Sequence, residues 1–159
     1  MDDIAFYRCK WSSIVRALFR ASILAQVSAC TVPMHQELDM LSVSSEEAVK
    51  LHRKGVIRLV DTRSGPERSG REISNAVLIQ LGPDRWTSAL TDDDAQSFLR
   101  RVEASGLAQH DAIVTICNAG VRAAAAARLL RTSGYTRANA AAGGYYGTNN
   151  DSGWQFFQD

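Results

Sequence analysis

Six consecutive residues carry the reactive pattern of this chain. Cys117, Asn118, Ala119, Gly120, Val121 and Arg122 stand in the spacing C-x-x-G-x-R. A short apolar, β-branched run from Ala112 to Ile116 precedes the thiol, and an alanine-rich helix pattern through Leu129 and Leu130 follows it. At such a junction the thiol faces converging backbone N–H groups. The helix N-terminus adds partial positive charge, and both effects favour thiolate over thiol. Gly120 lets the loop curl tightly, and Arg122 either closes it or meets an anion. The pattern fits a nucleophilic cysteine that acts on an anionic substrate without a separate base. A lone cysteine after an apolar strand is more often a small buried hydrophobe. The glycine and arginine at these offsets argue against that reading.

The flanking elements that must position the loop alternate between strand and helix. Ser44 with Glu47 is a capping box that opens a helix stopping near Gly55. Ile57 to Asp61 reads as a short buried strand, Thr62 to Glu72 as a loop, and Val77 to Ile79 as a second strand. Leu81 to Trp86 turns. Thr91 caps a helix with an acidic first turn at Asp92, Asp93 and Asp94, whose apolar face is Phe98, Leu99 and Val102 and which Gly106 ends. Ala112 to Ile116 is the central strand. Val121 to Arg131 is the next helix, with Gly134 at its C-cap. This alternation predicts an α/β fold with a mostly parallel sheet and helices on its faces. In such sheets ligands sit at the carboxyl ends of the strands, where Cys117 lies.

The ordered set of motifs resembles the rhodanese-like domains. Cys117 to Arg122 is similar to their active-site loop, and Leu59-Val60-Asp61-Thr62-Arg63 to their L-V-D-x-R strand end. Ile73, Ala76 and Ile79 match I-x-x-A-x-x-I, and Gly134-Tyr135-Thr136 matches G-[FY]-T. Gly143 and Gly144 with Trp154 match the closing G-G…W. The resemblance spans residues 41–156. It implies a three-layer rhodanese-like fold and sulfur transfer from thiosulfate or a related donor through a persulfide on Cys117. The acceptor would be cyanide or a thiol. Asn118, Ala119, Gly120, Val121 and Arg122 would cradle the sulfur, with Arg63 assisting the substrate. Asp61 would give structural support. For Asp61 and Arg63 the structural reading, an ion pair that fixes the loop, is the commoner one. Arg68 and Arg71, on a glycine-containing loop, either greet an anionic donor or are solvated surface charge.

Loop length separates two anion chemistries. Phosphatases of the same fold carry C-x5-R, whereas this chain has C-x4-R, a cradle sized for one sulfur atom. Many family members have serine where Ala119 and Ala123 stand, and a basic residue where Asn118 stands. The alternatives are therefore a non-catalytic binding or persulfide-carrier module and, disfavoured by loop length, a small phosphatase or arsenate reductase.

The 159 residues allow one domain, and a net charge of +1 gives no argument for nucleic acid. Three cysteines do not make a disulfide framework. His35, His52 and His110 lack partners at metal-ligand spacing, so neither a metal nor a cofactor is implied. Residues 1–30 read as a targeting segment or an N-terminal helix, and residues 31–40 as a linker. The segment from Ile4 to Pro33 holds no acidic residue, and Val27-Ser28-Ala29 suits a cleavage site. Val27-Ser28-Ala29-Cys30 also resembles a lipobox, which would make Cys30 a lipid anchor. Cleavage would place the protein outside the cytoplasm or in the periplasm, and its absence in the cytoplasm. Against export, Trp11, Ile14, Val15, Leu18 and Phe19 fall at helical spacing. The apolar stretch is too short to span a membrane.

Overall fold

Five strands build the centre of the molecule: β1 (Ser42–Val43), β2 (Arg58–Asp61), β3 (Val77–Leu78), β4 (Ile113–Ile116) and β5 (Ala138–Ala141). Four helices surround them: α1 (Ser45–Arg53), α2 (Gly65–Arg68), α3 (Asp92–Ala104) and α4 (Val121–Thr132). A 3₁₀ turn, Trp154–Phe157, closes the chain. The computed structural model describes residues 42–84 and 90–157. The expectations for residues 1–40 and for the turn at Trp86 fall outside the described residues.

The sheet order is β1-β5-β4-β2-β3, and every pair is parallel. Strand β4 is central and all its residues are buried, as a strand covered on both faces requires. Its period-two alternation divides the core. Ile113 joins Val60, Phe98, Val102 and Leu130 on the side of α3 and α4. Val114 and Ile116 join Leu59, Ala48, Val49 and Trp154 on the side of α1 and the closing turn. Fully burying one such side chain stabilises the fold by about 1.5–3 kcal/mol. The result is a three-layer α/β fold.

The helices start where side chains satisfy their first amides. Ser44 accepts from the Glu47 N–H at 3.1 Å, and Thr91 forms a reciprocal capping box with Asp94. α1 stops after Arg53, with Gly55 at φ +67.

Two elements differ from expectation. The stretch Thr62 to Glu72 is not simply a loop: Ser64 and Glu67 form a capping box with Pro66 in the first turn, which folds α2. Strands β1 and β5 were not expected. β5 reads Ala-Asn-Ala-Ala, poor in β-branched residues, yet it fills the slot between β1 and β4. Its small residues let α4 approach. Ala123 and Ala127 of α4 pack against Ala140 and Cys117 with no exposure beyond a few per cent.

Because all strands are parallel, their carboxyl ends share one edge of the sheet. Residues 61–64 after β2, 117–122 after β4 and 142–146 after β5 are thereby brought together.

Candidate active site

Cys117 directly follows the last residue of β4 and is 3 % exposed. It is the one free thiol among the described residues. The Ala123 N–H donates to its Sγ at 3.4 Å. The N–H groups of Asn118, Ala119 and Gly120 donate to no described residue. Gly120 is the N-cap of α4 and supplies no side-chain cap, in contrast to Ser44, Ser64 and Thr91 on the other helices. The first turn of α4 therefore keeps donors for an anion lodged beside the thiol.

The loop is shaped by backbone meeting backbone. Gly120 adopts φ +87, and a Cβ there would lie 2.1 Å from the Ala142 carbonyl oxygen. On the facing turn Gly144 has φ +58, and its Cβ would lie 2.6–2.7 Å from Cys117 O, Asn118 O and Gly120 N. Only residues without a side chain fit at either position. Tyr145 N–H donates to Cys117 O at 2.7 Å and Tyr146 N–H to Asn118 O at 2.9 Å, which fastens the two turns. Ser45 Oγ, at the start of α1, donates to Gly144 O at 3.0 Å. Ala119 and Val121 face outward, Val121 with 66 % exposure.

Arg122 closes the loop. Its Nη1 and Nη2 meet Glu67 Oε2 and Oε1 at 2.7 and 2.8 Å, a two-bonded fork. Nη1 also donates to Thr62 O at 3.1 Å. Asn118 Nδ2 donates to the same Glu67 Oε1 at 2.8 Å. Burial by itself pushes the Glu67 carboxyl up, but its bonds from Arg122 and Ser64 outweigh that and hold it below the usual carboxylate range. Glu67 was absent from the sequence-based site residues. Its signal was present: a serine three residues before a glutamate, with proline between them.

Arg63 forms an interior ion pair. Its side chain is wholly buried and paired with the equally buried Asp61, Nη2 to Oδ2 at 2.8 Å. Nε donates to both Asp61 oxygens, and Nη2 also donates to Arg71 O at 2.8 Å. Nη1 has no hydrogen-bond partner among the described residues. The guanidinium lies 4.4 Å above the Tyr145 ring, whose face offers electrostatic compensation.

An open cleft of about 360 Å³ beside His52, Ile73 and Trp154 takes no lining residue from the Cys117 loop. The His52 ring lies tilted against Trp154 with centroids 5.6 Å apart, and its Nε2 shares a 2.8 Å hydrogen bond with Ser74 O. Among the described residues no group of histidine, cysteine and carboxylate side chains could hold a metal ion. No helix there is long and apolar enough to cross a membrane.

The family model of the rhodanese-like domain matches residues 44–151. Among solved structures, the human single-domain sulfurtransferase TSTD1 is 25 % identical with a TM-score of 0.53, over 75 % of this chain and 97 % of that one. The polysulfide-sulfur transferase of Wolinella succinogenes is 24 % identical with a TM-score of 0.50, over 67 % of this chain and 70 % of that one. A rhodanese-like domain from Anabaena, at 14 % identity and a TM-score of 0.54, covers 74 % of this chain and 75 % of its own. The latter two speak for the fold alone. No curated protein matches the chain significantly.

Proposed function

The chain belongs to the rhodanese-like domain family, and from that membership we propose a sulfurtransferase that takes sulfane sulfur from thiosulfate or a related donor onto Cys117. The observation that carries this reading is the thiol's setting. Sγ accepts the Ala123 N–H at 3.4 Å, inside a loop whose preceding amides have no described partner.

The thiolate of Cys117 attacks the outer sulfur of thiosulfate. A new S–S bond forms on the protein, the bond to the sulfonate sulfur breaks, and sulfite leaves with its electron pair. The resulting persulfide is an anion one atom longer than the thiolate. The amides of Asn118, Ala119 and Gly120 and the amide of Ala123 are the groups that would stabilise it, each well-placed donor being worth about 2.7–4 kcal/mol in a comparable oxyanion site. Cyanide or a thiol then takes the outer sulfur and regenerates the thiolate. The four residues between Cys117 and Arg122 leave a narrower cradle than a phosphoryl group needs, which favours sulfur over phosphorus chemistry.

Ala119 and Ala123 favour a second reading, a persulfide carrier with slow turnover, because two hydroxyl donors are missing. The test is intact mass after incubation with thiosulfate, followed by cyanide. A gain of one sulfur, its discharge as thiocyanate, and loss of both in Cys117→Ser support the enzyme. Loading without discharge to any thiol or cyanide supports the carrier. Absence of loading, or an unchanged rate in Cys117→Ser, refutes both.

A further inference from the structure

We propose that Arg71, seated on the ring of Tyr146, binds the anionic end of the sulfur donor and sets the preference for doubly charged donors. The proposal rests on the sulfurtransferase reading above. When the outer sulfur of thiosulfate points at Sγ, its sulfonate group, which carries most of the charge, stays outside the loop. The cation that recognises it must stand at the mouth.

Arg122 and Arg63, which follow the strands that carry the site, are already matched. Arg122 is held by Glu67 and Arg63 by Asp61, each in an ion pair that adds no net charge. Arg71 is different. It is exposed, and it forms no ion pair with a described residue. The contact of its guanidinium is the Tyr146 ring, at 5.6 Å. An arginine over a ring face keeps its N–H edges for another acceptor. The neighbouring carboxylate, Glu72, accepts the Gly70 N–H instead.

The cation is also placed in advance. The Arg71 carbonyl accepts from buried Arg63 at 2.8 Å, and its N–H donates to Arg68 O at 2.7 Å, so its main chain is fixed from both sides. Tyr146 is fixed in turn. Its N–H is bound to Asn118 O, and its ring meets Tyr145 edge-on at 5.2 Å, while 39 % of the residue remains exposed. A chain of contacts thus runs from the loop that holds the thiol to one exposed guanidinium. The fixed main chain and the ring contact reduce the freedom lost on binding. Sulfite, leaving as a dianion, meets the same cation.

Single-turnover loading of the full chain by thiosulfate, read by intact mass, separates affinity from rate. Arg71→Gln should raise the half-saturating concentration about fivefold to tenfold, the worth of one charge-assisted bond at an exposed site. The saturating rate should stay within about twofold. Arg71→Lys and Tyr146→Phe should retain most of the affinity, and Tyr146→Leu should lose part of it. Methanethiosulfonate, with one negative charge, should be affected less than thiosulfate. Unchanged half-saturation in Arg71→Gln, or an equal loss with both donors, overturns the proposal while loading through Cys117 stands. If the parent does not load at all, the sulfurtransferase reading falls first and takes this inference with it.

Discussion

Replacing Glu67 by glutamine keeps the outline of the side chain and removes the charge that faces Arg122. Arg122 is 3 % exposed and Glu67 20 % exposed at the side chain, so the pair lies between the fully buried and the surface regimes. Removing one partner of a buried pair costs about 3–5 kcal/mol, and of an exposed pair about 0–1. An intermediate loss of about 2–3 kcal/mol follows. Glutamine also sets an amide N–H₂ against donors that Arg122 and Asn118 now direct at two carboxylate oxygens. For a domain of this size the melting temperature should fall by about 8–12 °C at pH 7. The pH dependence has a definite sign. The folded Glu67 carboxyl titrates below its ordinary value of 4.5, so its contribution is complete above that value and fades as pH falls through the lower, folded one. Thermal unfolding of parent and Glu67→Gln by circular dichroism, from pH 7 down to about pH 3, should show the gap closing below about pH 4.5. A drop of under about 2 °C at pH 7, or a gap undiminished at the acid end, would refute the reasoning.

Three more outcomes follow from the same geometry. Ala123→Ser places a hydroxyl on the residue whose own N–H already touches Sγ, and should raise the sulfur-loading rate about tenfold; parent kinetics would remove the hydroxyl argument. Gly120→Ala sets a Cβ 2.1 Å from Ala142 O in a left-handed backbone, and should cost at least about 3 kcal/mol in urea unfolding; parent stability would show that the turn yields. Arg63→Lys cannot reproduce the guanidinium's simultaneous bonds to Asp61 and Arg71 O, and should cost about 2–4 kcal/mol, read as a lower denaturant midpoint at unchanged slope.

The parts legible in the sequence were those written in local grammar. Ser44 and Thr91 announced two helices by their caps, and the apolar β-branched run before Cys117 announced the central strand. The parts that were not legible depend on partners distant in the chain. Strand β5 has the composition of a helix or loop, and is a strand because β1 and β4 offer hydrogen bonds on both sides and α4 needs small residues beneath it. The loop's C-x-x-G-x-R spacing was visible, yet the role of Arg122 was left between closing the loop and meeting an anion. The partner that bears on it, Glu67, stands 55 residues away in the chain, beyond the reach of local spacing. Arg63, for which the sequence offered both a substrate contact and an ion pair with Asp61, is buried against Asp61, since a cation inside the fold needs its counter-charge within reach.

The separation of these contacts along the chain has a consequence for biogenesis. Arg122 reaches Glu67 across 55 residues, and Ser45 reaches Gly144 across 99, so the pieces around the thiol meet only once nearly the whole sheet has been threaded. Long closures of this kind are ordered at high entropic cost and come after local helices in folding. Until they form, Cys117 is an ordinary thiol in water, without amides to hold a charged sulfur. A nascent or damaged copy would thus expose a thiol to adventitious oxidation and alkylation while lacking the means to stabilise a persulfide. If the proposed chemistry holds, sulfur loading would report completed topology, because only a chain whose distant segments have met around the 3 % exposed Cys117 has the amides to hold the persulfide.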